Sequence, residues 1–203
     1  TREIARTTLW QRPNRNTLLL PLLKSANSQN VLEALWALDR NEINSPLLQT
    51  LRHPDQHVRA WSIRLLFDSF NSSWLRNSEI AQLASDPSLE VRVQFLAGLR
   101  AHPTSLFWKS LAQFLQKESG PLSTHLTQLY WWTIQSRAVQ DPDEAIDLLS
   151  HAHNPTKKKL ASYLARRLIT ENTQQHSQAC LTLFEKSPHS LHPTLSKSLS
   201  QAL

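Results

Sequence analysis

Methionine is absent from the 203 residues, and glycine occurs only twice, as Gly98 and Gly120. β-Sandwiches and doubly wound α/β folds spend glycine on turns, bulges and phosphate loops, so its scarcity argues against both. Cys180 is the one cysteine. It excludes an internal disulfide, a Cys-x-x-Cys site and a Cys-x-x-Cys-His haem attachment, and leaves the redox compartment open. Long hydrophobic runs are missing too. The longest near the N-terminus, Leu18-Leu19-Leu20-Pro21-Leu22-Leu23, is much too short to span a bilayer, and no signal-peptide pattern precedes it. With Thr1 first and no methionine, the sequence reads as a processed or excised piece of a larger protein, whose other domains would carry further chemistry.

Leucine, alanine, glutamine and serine predominate, which is a helical composition. The length suffices to bury a core without disulfides or metal. The net charge of +6 raises nucleic acid or an anionic membrane as partners, so its distribution matters. Residues 41–103 balance six Lys/Arg against six Asp/Glu. The concentrated patch is Lys157, Lys158, Lys159, Arg166 and Arg167, with no acid among them.

The strongest signal is periodic. Pro54, Pro87, Pro121, Pro155 and Pro188 follow one another at intervals of 33, 34, 34 and 33 residues, each after a polar or glycine-containing turn and before an apolar-periodic stretch. Proline suits the first helical position, where its fixed φ is helical and its missing N–H would have had no partner. Each of these prolines is therefore expected to open a helix. Two repeats superpose directly: His53-Pro54-Asp55 with Val58-Arg59 corresponds to Asp86-Pro87-Ser88 with Val91-Arg92. Ile63, Leu66, Phe67 and Phe70 fall at i, i+3, i+4 and i+7, and Leu96 and Leu99 repeat the first two positions, so one face of each helix should be buried.

The patterning predicts helices over 2–11, 16–25, 28–40, 45–52, 54–70, 76–84, 87–101, 104–117, 121–138, 143–151, 155–170, 173–186 and 189–202. Helix pairs with short connections and a period near 33 imply a solenoid in which neighbours bury one another's apolar faces. Shorter repeats over 1–52, regular ones over 53–188 and a capping helix over 189–203 would form a single domain, with no boundary expected inside it. Ankyrin and TPR arrays share this period, but neither the Thr-Pro-Leu-His-x-Ala turn nor the TPR Trp and Tyr pattern is present.

The turn and helix start Asp86-Pro87-Ser88-Leu89-Glu90-Val91-Arg92 resembles HEAT repeats. The implied fold is all-α, a right-handed α-α superhelix of about six two-helix repeats. Ala34-Leu35-Trp36-Ala37-Leu38-Asp39-Arg40, the stretch from His53 to Leu66, and Asp86 to Arg92 are similar to the HEAT segment of the planctomycete and verrucomicrobial membrane-bound dehydrogenase-like proteins. The similarity covers residues 28–103; beyond them it is to HEAT repeats in general. In that family the segment lies between a β-propeller and a c-type haem domain of an exported protein. The resemblance thus implies a periplasmic or envelope location and a parent oxidoreductase. No cofactor is expected in the segment itself.

Arg59 and Arg92 occupy equivalent positions one repeat apart, with Asp55 and Asp86 in nearby turns. A ladder of arginines bridging turn carboxylates is the expected role, rather than ligand binding. Leu126 and Leu160 stand at the corresponding later positions, so two rungs are expected. Of the seven tryptophans, Trp36 and Trp61 read as fillers between repeats, Trp74 as a loop cover, and Trp10 and Trp108 carry no separate reading. Tyr130-Trp131-Trp132 is different, because three consecutive aromatics on a helix cannot all face inward. At least one is expected at a groove or interface. The basic group of Lys157 to Lys159 with Arg166 and Arg167 reads as a solvated face or as a grip for phosphates. His151 with His153, and His189 with His192, could share a metal only if a third ligand such as His176 came near, and no acidic or cysteine companion stands at helical spacing. Asp143 and Glu144 after Pro142 suit the positive end of a helix dipole.

No nucleophile elbow, P-loop or His-Glu-x-x-His pattern occurs. The expected function is a scaffold or protein-interaction module whose partner is another protein or a flanking domain of its own polypeptide. Two alternatives stand beside it: a nucleic-acid binder using the lysine-rich helix, and an enzyme of the HEAT-like alkylpurine DNA glycosylase kind.

Overall fold

A computed structural model describes residues 7–8, 12, 14–38, 44–69, 82–102, 106–117, 122–150 and 155–200. Among the described residues the chain is helical without strands. It falls into two compact units, Thr1–His102 and Pro103–Leu203.

The first unit contains α1 (Arg15–Leu19), α2 (Ser28–Ala37), α3 (Asn44–Thr50), α4 (Gln56–Phe67) and α5 (Leu89–Ala101). α1 runs into a 3-10 turn, Leu20–Lys24, where Pro21 lacks the N–H that an α-helical bond would use. A second 3-10 turn, Gln82–Ser85, is the described part of the expected helix over 76–84. α4 packs against α2, α3 and α5. Val58, Ile63 and Leu66 of α4 and Val91, Leu96 and Leu99 of α5 are buried together. The closest approach involves Gly98: a Cβ there would overlap the Phe67 ring, so the absence of a side chain sets the α4–α5 spacing. Phe70 lies outside the described residues.

The second unit contains α6 (Phe107–Lys117), α7 (Thr124–Ala138), α8 (Pro142–Ser150), α9 (Pro155–Thr170), α10 (Gln174–Lys186) and α11 (His192–Ser200), the last entered through a 3-10 turn, His189–Leu191. Alternate helices stack: α6, α8 and α10 form one layer and α7, α9 and α11 the other, while successive helices from α7 to α10 pack as hairpins. Leu111, Ile134, Ile146, Leu160, Leu164 and Leu183 make up much of its core. Asn172, the one described non-glycine residue with positive φ (50°), turns the chain from α9 into α10 in the left-handed conformation that asparagine tolerates.

Helix starts correct the expectation for the prolines. Pro155 is the first residue of α9, as is Pro142 of α8, but Pro54 and Pro87 stand two residues ahead of α4 and α5. The boundary itself goes to a polar cap. Asp55 Oδ1 accepts the His57 N–H at 2.8 Å, while Ser88 holds the matching position before α5. A proline disfavours helix in the residue before it, so Pro54 and Pro87 end the preceding turn rather than begin the helix. Pro188 caps the 3-10 turn before α11, and Pro121 lies outside the described residues. No helix among the described residues is long and apolar enough to cross a membrane.

A candidate partner-binding groove

Side chains of each unit meet at the offset of the repeat. His57 Nδ1 lies 2.9 Å from Glu90 Oε2, 33 residues on. The Trp108 Nε1–H donates to Asp141 Oδ2 at 3.2 Å, again 33 residues on, and the Leu122 N–H donates to Thr156 Oγ1 at 3.1 Å, 34 on. Arg59 is the most connected of these bridging groups. Its Nε and Nη2 donate to both Asp86 oxygens at 2.9 Å, and its Nη1 donates to the carbonyls of His53 and Pro54 at 2.8 and 2.9 Å. Arg92 repeats the carbonyl half one repeat later, donating to the carbonyls of Asp86 and Pro87 at 2.8 and 3.2 Å.

Asp55 does not join these arginines. Its carboxylate caps α4, and its pKa is lowered chiefly by the Ser28 hydroxyl, opposed next by desolvation and helped further by the amides of His57 and Val58. The reason is positional: one repeat before Asp86 stands His53, not Asp55, and Asp55 corresponds to Ser88. The tryptophans expected between repeats, Trp36 and Trp61, are half-buried and meet edge to face at 5.3 Å. Trp10 and Trp74 lie outside the described residues.

The second unit holds a groove between α7 and α9. Successive residues on α7 step by about 100°. Tyr130 therefore enters the core against Phe114 at 4.9 Å, Trp131 is half-buried, and Trp132 is 42% exposed. Trp131 meets Tyr163 of α9 edge to face at 5.4 Å. Arg166 lies over the same Tyr163 ring at 5.0 Å, and Lys159 Nζ at 5.9 Å. Arg167 Nη2 pairs with Glu171 Oε1 at 2.6 Å one turn on. Trp131, Trp132, Tyr163, Arg166 and Arg167 thereby line a cleft of about 500 Å³ rimmed by Gln128 and Thr170.

Of the residues singled out from sequence, Trp131, Trp132, Arg166 and Arg167 come together here. Tyr130 points the other way, into the core. Lys157 and Lys158 sit half-buried in the first turn of α9 and the exposed Lys159 follows them, all three outside the cleft lining. Tyr163 was not singled out, although it centres the cluster; it follows Trp131 by 32 residues, near the repeat offset that would have drawn attention to it.

His176 and His192 are engaged in the fold. His176 Nε2 donates to the Val139 carbonyl at 2.9 Å, and its Nδ1 lies 2.7 Å from the Thr173 hydroxyl, which also accepts the His176 backbone N–H. A carbonyl oxygen only accepts, so this contact places a proton on Nε2. His192 Nε2 donates to the carbonyls of Phe184 and Ser187. His151 and His153 lie outside the described residues, and among the described residues no group of three or more His, Cys, Asp or Glu could hold a metal ion. The chain matches no protein-family profile, no curated protein and no solved structure.

Proposed function

We propose that the chain is a non-catalytic scaffold and protein-interaction module, built as one right-handed HEAT-like superhelix of about six two-helix repeats. On this reading it is an interdomain segment of a larger exported dehydrogenase-like protein with c-type haem, located in the periplasm or cell envelope. The parent's redox chemistry resides in its other domains.

The observation that carries the reading is the α7–α9 groove. Tryptophan, tyrosine and arginine are the residue types enriched where proteins bind one another, and here they share one accessible cleft on a packed helix pair. Contacts at offsets of 33 and 34 residues support the repeat architecture, since the same hairpin length brings equivalent side chains into register. The test is association in trans. The 203-residue chain and the remaining domains of its polypeptide are produced separately and mixed in sedimentation velocity. A stoichiometric complex supports the scaffold, and independent sedimentation at tens of micromolar rejects it.

The basic side chains of α9 favour one second reading, a nucleic-acid binder using that helical face. It predicts binding to a labelled DNA duplex with log K falling steeply against log salt, and fails if no binding is detected at low salt.

A further inference from the structure

We propose that the α7–α9 groove binds an acidic peptide in extended conformation, its carboxylates held by Arg166 and Lys159 and its intervening apolar side chains laid on Trp131 and Trp132. The proposal rests on the interaction reading above and names the partner's chemistry.

Arg166 is the central observation. It is half-buried, as are Arg59, Arg137 and Arg167, yet each of those three holds a carboxylate: Asp86 at 2.9 Å, Asp141 at 2.8 Å and Glu171 at 2.6 Å. Arg166 makes no ion pair with any described residue and instead lies over the Tyr163 ring. Stacking engages the face of a guanidinium and leaves its in-plane N–H donors open to a ligand, in the fork that fits a carboxylate. The Tyr163 ring, itself edge to face with Trp131, gives that guanidinium an aromatic surface to rest on.

The charge around Arg166 points the same way. Lys158 stands in the first turn of α9, where the helix dipole disfavours cations, and Lys159 follows it. No acid stands in that turn to offset them. An anion along α9 would relieve this repulsion together with the desolvation of Arg166.

Peptide is favoured over nucleic acid by Glu171. A phosphate chain following α9 past Arg166 would meet this carboxylate, bound to Arg167 at the end of the same face. A peptide with two or three discrete acids need not extend so far. From Lys159 to Thr170 the helix rises roughly 16 Å, which an extended chain crosses in about five residues. Side chains of an extended peptide point alternately to opposite sides. One set would face the cations of α9 and the other the indoles of α7, so the fitting pattern alternates acidic and apolar residues.

The test uses a fluorescein-labelled Glu-Val-Glu-Val-Glu peptide, titrated with the full chain at low salt and followed by polarisation. Its composition-matched rearrangement Glu-Glu-Glu-Val-Val and labelled pentathymidylate serve as competitors for the assignment. Saturable binding of the alternating peptide is expected, with affinity falling as salt rises. Arg166→Gln should weaken it about tenfold or more, whereas Arg64→Gln, which removes an arginine stacked on Trp61 in the other unit, should leave it unchanged. Arg166→Lys, which keeps charge but loses the planar fork, should bind several-fold more weakly, and it carries the test if the glutamine variant does not fold. Wild-type affinity in a folded Arg166 variant, tighter binding of pentathymidylate or of the rearranged peptide, or no binding of the alternating peptide would each overturn the proposal. If such a failure came while association in trans persisted, the groove's ligand would be wrong and the scaffold would stand.

Discussion

Asp55 and Cys180 show how much a single position decides. Asp55 ends the turn after Pro54 and accepts the His57 amide, so Asp55→Ala is expected to lower stability by about 1 kcal/mol in urea unfolding. Its carboxyl titrates below the ordinary value near 3.8, chiefly through the Ser28 hydroxyl. A depressed carboxylate contributes its full stabilisation above that ordinary value and loses it as pH falls through the lower, folded-state value. The gap between wild type and Asp55→Ala should therefore be constant near neutrality and narrow below about pH 4, and a gap unchanged down to pH 2 would contradict the capping role. Cys180 is 3% exposed, its Sγ 3.9 Å from the Ala165 carbonyl oxygen, and burial pushes its thiol pKa up. Both exposure and thiolate content are thus low. Native protein should react with a thiol-specific disulfide reagent at pH 8 far more slowly than the same chain in denaturant.

Between elements, the bridge that matters most is Arg59 to Asp86, linking the start of α4 to the turn before α5. Both side chains are nearly buried, at 12% and 8% exposure, and Asp86 also accepts the Ser88 amide at 2.8 Å. Removing one partner strands the other, so Asp86→Ala should cost about 3 kcal/mol. Combining it with Arg59→Ala should cost much less than the two single losses added together, because the second change removes a charge already stranded. Additive losses in that double-mutant cycle would show the pair to be energetically uncoupled. The pairing of Arg59 with an aspartate of a nearby turn was legible from repeat spacing, since a shared period puts equivalent side chains at equivalent heights. Which aspartate was harder to read. Asp55 and Asp86 look alike as turn acids, and they separate only when His53 is set against Asp86 and Asp55 against Ser88, the cap position. Tyr163 escaped notice for a related reason: the meeting of α7 with α9 depends on the rotation of each helix about its axis, which apolar periodicity defines only to within a residue or so.

Among the described residues, helix order and most boundaries follow from apolar periodicity and the polar and proline turns between helices. The division between His102 and Pro103 leaves no mark on the proline period: Pro87 and Pro121 are separated by 34 residues, as are Pro121 and Pro155. It does have a consequence for local stability. In stacked repeats each helix is stabilised by the neighbours it touches, and those with neighbours on more sides open least often. α4 packs against α2, α3 and α5 in the first unit, and α9 packs against α7, α8, α10 and α11 in the second. The Pro142–Ser150 helix, α8, likewise touches four others, so native-state hydrogen exchange should show two maxima of protection along the sequence, at Gln56–Phe67 and across α8 and α9, with faster exchange in α1 and α11. A single maximum midway along the chain would mean that protection follows position in the sequence rather than the packing within each unit. Uniform protection from α1 to α11 would mean that opening is global, and the nearest-neighbour account of stability would then not apply to this chain.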